Sequence, residues 1–143
     1  MTNIVHEKLS YEINGLLYKT QNDLGRFRNE RQYADYFEKL LNEKEINYKR
    51  EYRFTDKSNG EKIARCICDF IIRGKIILEF KTKDFIDKED YYQVQRYLAT
   101  LNLELAIIVN FRQKRLVPKR VLNSEYLSNN IRGIRVENSG HSD

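Results

Sequence analysis

The stretch CDFIIRGKIILEFKTKD, residues 68–84, decides the fold. Two short apolar, Ile-rich runs flank a glycine-containing turn, and this pattern is typical of two buried strands. Each run carries an acid, Asp69 in the first and Glu79 in the second, and Lys81 follows two positions after the glutamate. Burying a carboxylate is costly unless it coordinates a metal or has partners. The two acids are therefore candidates for a functional site.

The length of the turn determines whether these acids meet. Glu79 and Lys81 are two apart on a strand and so project from one face, ~6.6 Å apart. A two-residue turn would place Asp69 and Glu79 on opposite faces, whereas a three-residue turn or a bulge at Gly74 would bring them together. We expect the odd turn, because a shared site avoids two separately buried charges.

A third acid, Glu30, falls inside the apolar stripe of a predicted helix that also includes Tyr33 and Phe37. Each acid also has a simpler explanation. Glu30 would suit the first turn of a helix through the macrodipole. Asp69 would suit a strand end with backbone donors, and Glu79 with Lys81 would suit an ion pair. Taken together, three inward acids and one inward lysine favour a site.

The remaining pattern indicates an α/β domain in the order α-α-β-β-β-α-β, with a mixed sheet flanked by helices. The first predicted helix lies within the first 24 residues and ends near Gly25, and two more helices cover about 29–44 and 88–101. The predicted strands begin with NYKREYRF and continue at about 63–72, 75–81 and 104–111. RLVPKRVL is an optional edge strand, and TDKSNGEK is a polar turn. We expect one domain over 1–122 and a frayed polar tail over 123–143, in which GIRV is free to pair.

Composition sets the broad class. The chain has 143 residues, 33% of them charged, and a net charge of +5, which fits a globular domain and is compatible with a polyanionic partner. The sequence has no signal pattern and no apolar run of membrane-spanning length, so we expect a soluble cytoplasmic protein. Cys66 and Cys68 are interpreted as buried free thiols on the same face as Phe70, and two distant histidines argue against zinc.

The candidate residues point to one chemistry. Mg²⁺ and Mn²⁺ take oxygen ligands and keep several waters, so clustered carboxylates suit them. Such an ion activates water and stabilises charge on a phosphodiester oxygen, and a nearby lysine orients water or stabilises the transition state. The set therefore favours metal-assisted phosphodiester hydrolysis.

At this point the chain resembles a known family. Asp69 followed by Glu79-Phe80-Lys81 across a hairpin looks like the D…(D/E)-x-K signature of the PD-(D/E)XK nuclease superfamily. The stretches GRFRNERQYADYFEKLL, CDFIIRGKIILEFK and YYQVQRYLATLNLELAIIVNFR are similar to the GxxExxY family within it. The resemblance covers about residues 9–122. Two departures stand out: Cys68 occupies the proline position, and Phe27 occupies the position of the glycine that names the family.

The resemblance implies a restriction-endonuclease-like core and a role for each site residue. Asp69, Glu79 and the main-chain carbonyl of Phe80 would bind the metal, Glu30 would complete the acidic site, and Lys81 would be the catalytic lysine. The implied cofactor is Mg²⁺ or Mn²⁺ and the implied partner is DNA or RNA. A homodimer is an open alternative, since many such nucleases pair two sites.

Two further groups are candidates for the cleft. The resemblance implies that Gln93 and Tyr97, one helical turn apart, border it; otherwise the tyrosine would pack with a wet hydroxyl and the glutamine would face solvent. A basic cluster would line the path of a phosphate backbone or form a solvated charged face; it comprises Arg112, Lys114, Arg115, Lys119 and Arg120. The alternative function is a nucleic-acid-binding or protein-interaction module that keeps the fold without cleaving.

Overall fold

Three helices and five strands form the domain in a computed structural model that describes residues 4–59 and 62–125, without the side chains at 57–59, 62 and 63. The predicted order is confirmed, with an added final strand. The elements are α1 (Glu7–Leu24), α2 (Glu30–Glu43), β1 (Tyr48–Asn59), β2 (Lys62–Ile72), β3 (Ile76–Lys81), α3 (Lys88–Leu101), β4 (Leu105–Asn110) and β5 (Lys119–Leu122). The stretch predicted as a polar turn, TDKSNGEK, is mostly strand, because β1 continues to Asn59 and β2 begins at Lys62.

The strands form one mixed sheet in the order β1-β2-β3-β4-β5. Strands β3 and β4 are parallel and are joined by α3, whereas the other neighbours are antiparallel. A parallel pair needs a crossover connection, which α3 supplies. The architecture is α/β, as predicted, and is consistent with a restriction-endonuclease-like fold.

Each face of the sheet has its own apolar core. On β3, Ile76, Leu78 and Phe80 point to the face covered by α1 and α2, while Ile77 points to the face covered by α3. Because β3 is buried on both faces, its sequence reads as a continuous apolar run and not as an alternating one. The acid at Glu79 is the exception within this run and is itself buried.

Capping determines where α2 and α3 begin. The Asn29 side chain accepts a hydrogen bond from the Gln32 main-chain N–H, and the Gln32 side chain accepts one from Asn29, which forms a capping box. Asp87 and Asp90 form the same arrangement at the start of α3. Glu30 is therefore the first helical residue of α2, as the macrodipole interpretation also expects.

The turn between β2 and β3 has three residues. Ile72 lies opposite Ile76, and the register continues to Phe70 opposite Leu78, so residues 73–75 form the connection. Arg73 and Gly74 both have positive φ, 52° and 66°. Gly74 adopts this left-handed conformation at little cost. The expected odd turn is confirmed, and the register places Asp69 across from Glu79.

The alternation of β2 reverses at Asp69, which corrects one prediction. Cys66 and Cys68 are buried free thiols, as expected, but they pack on the α3 face, whereas Phe70 packs on the α1–α2 face. The partner position on β1 is Glu51, whose φ is 52°, and the ladder skips the pair that it would form with Asp69. This local irregularity turns the strand over, and simple alternation does not anticipate it.

The end of the described chain is packed against the domain. The Asn123 main-chain N–H donates to Glu104 O, and the Ser124 N–H donates to the Gln95 side chain. The predicted tail from 126 onward, including GIRV, lies outside the described residues, so the boundary at 122 stays a prediction. Within the described helices, none combines the length and apolar character that a membrane crossing requires.

Candidate active site

The site lies where the β2–β3 hairpin opens. Beyond the pair Phe70–Leu78, side chains take over the hydrogen bonding between the strands. The Asp69 main-chain N–H donates to Glu79 Oε2 at 2.7 Å, and the Phe80 N–H donates to Asp69 Oδ2 at 2.7 Å. The Glu79 carboxylate thus accepts from the main chain of Asp69, and the Asp69 carboxylate accepts from the main chain of the residue after Glu79. These two bonds compensate part of the cost of burying the acids.

The two carboxyls are nevertheless poorly suited to carrying charge without a cation. Glu79 is 5% exposed, and its burial, followed by the neighbouring Asp69 charge, raises its pKa to about 8. Burial also raises the pKa of Asp69, against the opposing effects of the Phe80 N–H and Lys81. Two like charges withdrawn from water favour either a shared proton or a bound cation.

Glu30 approaches the same opening from α2. Its side chain interacts with Thr82, just after β3. Partial withdrawal from water, and then the Asp69 charge, raise its pKa. Glu30 and Asp69 line one cavity of about 400 Å³, together with Arg31, Ala34, Arg50, Glu51 and Phe80. The structure therefore brings Glu30, Asp69 and Glu79 together, although Glu30, in the first turn of α2, is more exposed than its place in the apolar stripe predicts.

Lys81 is held in place by an acid on α3. Its Nζ lies 3.6 Å from Asp90 Oδ1, while Lys83 Nζ donates to Asp90 Oδ2 at 2.8 Å. Asp90 also accepts from the Asp87 N–H, and it is 7% exposed. The lysine cations and the Asp87 N–H hold the pKa of Asp90 below its usual value despite burial. Asp90 thus stays ionised and restrains the Lys81 ammonium.

Strand β4 supports β3 along its other edge. The parallel register is unbroken from Ile76–Leu105 to Lys81–Asn110. The Asn110 side chain then bonds both the N–H and the C=O of Lys83, and the Phe111 N–H donates to Lys81 O at 2.9 Å. On the side of β4, β3 is therefore hydrogen-bonded along its whole length. On the side of β2, its ladder stops after Leu78 and leaves a gap between the two strands.

Tyr97 lies next to Glu79 on the α3 side of the sheet. It is buried, its ring packs edge-on against Phe54 with centroids 5.1 Å apart, and burial followed by the Glu79 charge raises its pKa to about 12. Cys68 is a second neighbour, because burial followed by the Glu79 charge raises its pKa to about 12 as well. Gln93, one turn before Tyr97, is partly exposed. Their role at a cleft stays a prediction.

The predicted basic cluster does not act as one surface. Arg112 donates to Arg26 O at 2.7 Å and to Arg28 O at 3.2 Å, so it ties the α1–α2 loop to the segment after β4. Arg120 is buried and donates to Ser10 Oγ and Val5 O. Lys114 and Arg115 are exposed. The idea that all five cations line one phosphate path is wrong for Arg120, since a buried guanidinium is out of reach.

Sequence reasoning missed two residues of this site. Asp90 restrains Lys81, and its only sequence signal is the Asp-x-x-Asp capping pattern at the start of α3. Arg50 lines the cavity and bonds Asp35 and Glu38 at 2.8 Å each. The alternation of β1 does not identify Arg50 as a site residue, because the two acids that it bonds, Asp35 and Glu38, lie on α2.

The donor set suits a hard divalent cation. Among the hydrogen bonds of the described residues, Asp69 and Glu79 each use one carboxylate oxygen, which leaves Asp69 Oδ1 and Glu79 Oε1 as ligands. In a strand the N–H and C=O of one residue point to the same edge, so the Phe80 carbonyl also faces the gap. The described residues contain no group of three or more acidic, histidine or cysteine side chains placed to hold a metal. The fit therefore depends on two carboxylates, one carbonyl and water.

An opened hairpin in the middle of a mixed sheet carries the two acids and the lysine of the D…(D/E)-x-K pattern. A family model described as the PD-(D/E)XK nuclease superfamily matches residues 7–121, and the chain belongs to this superfamily. The crystal structure of SSO0001 is similar in fold, with a TM-score of 0.51, 19% sequence identity and 76% of each chain covered. No curated protein matches the sequence significantly.

Proposed function

We propose that this protein is a divalent-metal-dependent nuclease that hydrolyses a phosphodiester bond of DNA or RNA. The observation that carries the proposal is the reciprocal pair of backbone bonds that places the Asp69 and Glu79 carboxylates together at the opening of the hairpin. Membership in the nuclease superfamily supports the reaction class. The choice of Mg²⁺ or Mn²⁺ follows from the oxygen-only donor set.

Asp69 Oδ1, Glu79 Oε1 and the Phe80 carbonyl would hold the cation, with Glu30 at the outer side of the site. The cation would supply Lewis acidity to the phosphoryl oxygen and to water. Water adds to phosphorus and loses a proton, the P–O bond to the leaving oxygen breaks, and that oxygen takes up a proton. The Lys81 ammonium stabilises the negative charge that develops on the non-bridging oxygens.

Asp90 keeps the Lys81 ammonium oriented for this role. It pairs with Lys81 from the side of α3, away from Glu30 on α2, and its second oxygen is occupied by Lys83. A flexible lysine loses less conformational entropy at the transition state when its position is already restricted. Asp90 is therefore a positioning residue and does not touch substrate.

Membership in the GxxExxY family is also part of this proposal. Glu30-x-x-Tyr33 lies at the start of α2, where Glu30 reaches the site and the Tyr33 hydroxyl donates to Gly25 O. Phe27 stands where the family glycine is expected, and Gly25 instead has the positive φ, 81°. The turn before α2 therefore has its positive-φ residue two positions before Phe27.

The decisive experiment is a cleavage assay on single-stranded, duplex and branched DNA and RNA, with Mg²⁺ or Mn²⁺ compared with EDTA. We expect metal-dependent cleavage that Glu79→Gln abolishes and that Glu12→Gln, an exposed acid on α1, leaves unchanged. Binding without cleavage under every metal would overturn the nuclease proposal in favour of a binding module.

A further inference from the structure

Phe27 is held out in solvent just before the helix that carries Glu30. It is 75% exposed, in the loop between α1 and α2, three residues before Glu30. The Arg26 guanidinium lies 5.1 Å from the centre of its ring and the Arg112 guanidinium lies 5.4 Å from it. An isolated exposed phenylalanine needs no explanation. One that is flanked by two arginines beside acidic site residues presents a π surface together with two cations.

Hydrogen bonds between the α1–α2 loop and the segment after β4 fix the exposed position of Phe27. Arg26 Nε donates to Arg112 O at 3.0 Å, and Arg112 Nε donates to Arg26 O at 2.7 Å. Each guanidinium thus bonds the main-chain carbonyl of the other arginine. The Tyr33 hydroxyl accepts from the Arg28 N–H and donates to Gly25 O. The loop is therefore braced on both sides of Phe27, which limits its collapse onto the sheet.

The two segments that meet at Phe27, residues 25–34 and 111–120, are rich in cations. Three cations lie in or just after the α1–α2 loop, and three lie between β4 and β5; they are Arg26, Arg28, Arg31, Arg112, Lys114 and Arg115. The only acid in 25–34 is Glu30, and 111–120 contains none. A surface that combines cations with an exposed aromatic ring suits a strand whose bases stack while its phosphates are neutralised.

Both basic segments have contacts with the candidate active site. Arg31 lines the same cavity as Glu30 and Asp69. Phe111, which precedes Arg112, stacks on Tyr33 with ring centroids 4.1 Å apart and donates its N–H to Lys81 O. Both loops that carry the basic surface are thus attached directly to the elements that carry Glu30 and Lys81.

We propose that Phe27 stacks on an unpaired base of the substrate, with Arg26 and Arg112 beside it, so that this nuclease acts on nucleic acid with a single-stranded segment next to the scissile phosphate. The inference rests on the proposed function and adds the substrate class. A base within a duplex has both faces covered by its neighbours and offers none to Phe27, whereas an unpaired base does.

The test compares binding of one 20-nucleotide sequence as single-stranded DNA, single-stranded RNA and duplex DNA, each with a fluorescent label, by anisotropy. The protein carries Lys81→Ala throughout, with Mn²⁺ present, and a gel verifies that the probe remains intact. We expect Phe27→Ala to weaken single-strand binding about 5- to 150-fold, the range of losing one stacked base. Phe27→Tyr should retain the affinity, and Phe27→Leu, which keeps apolar bulk without a π face, should not.

Phe85→Ala is the matched control. Phe85 is 71% exposed, and within the described part of the chain no cationic side chain lies over its ring. Phe85→Ala should leave binding unchanged. Phe27→Ala should also leave the slope of log Kd against log salt unchanged, whereas removing both Lys114 and Arg115 should reduce it by about 1.4. The melting temperature of each Phe27 variant verifies that the loop has not unfolded the domain.

Three outcomes would overturn the inference. They are a Phe27→Ala protein that binds single strands as tightly as its parent, an equal or larger loss on the duplex, and undetectable binding of single strands by the parent. The second outcome would assign Phe27 to wedging between stacked bases. None of these outcomes concerns cleavage by the wild type, so the proposed function stands or fails separately.

Discussion

The two halves of the β2–β3 hairpin obey different rules. Near the turn, Ile72–Ile76, Ile71–Ile77 and Phe70–Leu78 pair in a regular ladder with apolar side chains on both faces. One pair further, the side chains of Asp69 and Glu79 accept the hydrogen bonds of the opposite backbone. The closed half, the ladder from Phe70–Leu78 to the turn, determines the register of the hairpin. In the open half, beyond that pair, this register places Asp69 and Glu79 together. Stability and function are thus separated along one pair of strands.

The largest effect is expected for Glu79→Ala in the open half. It should abolish cleavage and also remove stabilisation by Mn²⁺, because it deletes a proposed ligand and the acceptor for the Asp69 N–H. Product formation on gels and melting curves with and without Mn²⁺ measure the two effects. A Glu79→Ala protein that cuts and is still stabilised by Mn²⁺ would break the contrast between the two halves.

Lys81→Ala should slow cleavage about 10²- to 10³-fold, the usual cost of one preorganised group that stabilises transition-state charge. Nucleic-acid affinity and the Mn²⁺ stabilisation should persist, because an ammonium has only donors and cannot bind metal. Single-turnover rates measure the loss, and Lys75→Ala, an exposed lysine in the turn, is the control. A wild-type rate in Lys81→Ala would refute this role.

In the closed half, Ile77→Ala should lower the free energy of unfolding by roughly 2–5 kcal/mol, since it leaves a cavity in a fully buried site. In the open half, Glu79→Gln should raise the stability of the metal-free protein at pH 8.5. Denaturant unfolding of both variants tests this opposition. Equal destabilisation by both substitutions would mean that the acids are structural.

The pH dependence of stability sharpens the same comparison. The pKa of Glu79 in the folded state is raised to about 8, so the folded protein holds this proton more tightly than the unfolded chain. Its contribution is therefore full at low pH and is lost as the pH rises through about 8. Metal-free wild type should lose more stability between pH 6 and pH 8.5 than Glu79→Gln does. Parallel melting profiles would contradict the raised pKa.

The smallest effect is expected for Asp90→Asn. It keeps the shape of the side chain but weakens the hold on Lys81, and we expect roughly a tenfold slower single-turnover rate, a fraction of the cost of losing the lysine itself. Substrate affinity should be unchanged, because Asp90 does not touch substrate. Asp90→Glu should partly restore the rate, which a purely structural capping role would not predict.

The sequence was sufficient for the features that depend on local periodicity. The helix over 88–101 and the meeting of Asp69 with Glu79 follow from spacing and turn length, and the structure confirms both. The reversal of β2 at Asp69 was not predictable in this way, because it depends on Glu51 in a different strand. The same holds for Asp90, whose pairing with Lys81 requires the α3 crossover to return beside β3.

The three-residue turn has an evolutionary consequence. Gly74 lies five residues from Asp69, roughly 17 Å along an extended strand, and its own environment is open. Substitutions there that tolerate a positive φ should spread freely among descendants of this gene. Loss of a single codon in the turn, by contrast, would shift the register if a three-residue turn re-formed with Ile72 in it, and Asp69 would then lie opposite Leu78, away from Glu79. In lineages under selection for cleavage, this turn should therefore vary in sequence while its length stays constant, and a change in its length would identify copies that have lost the activity.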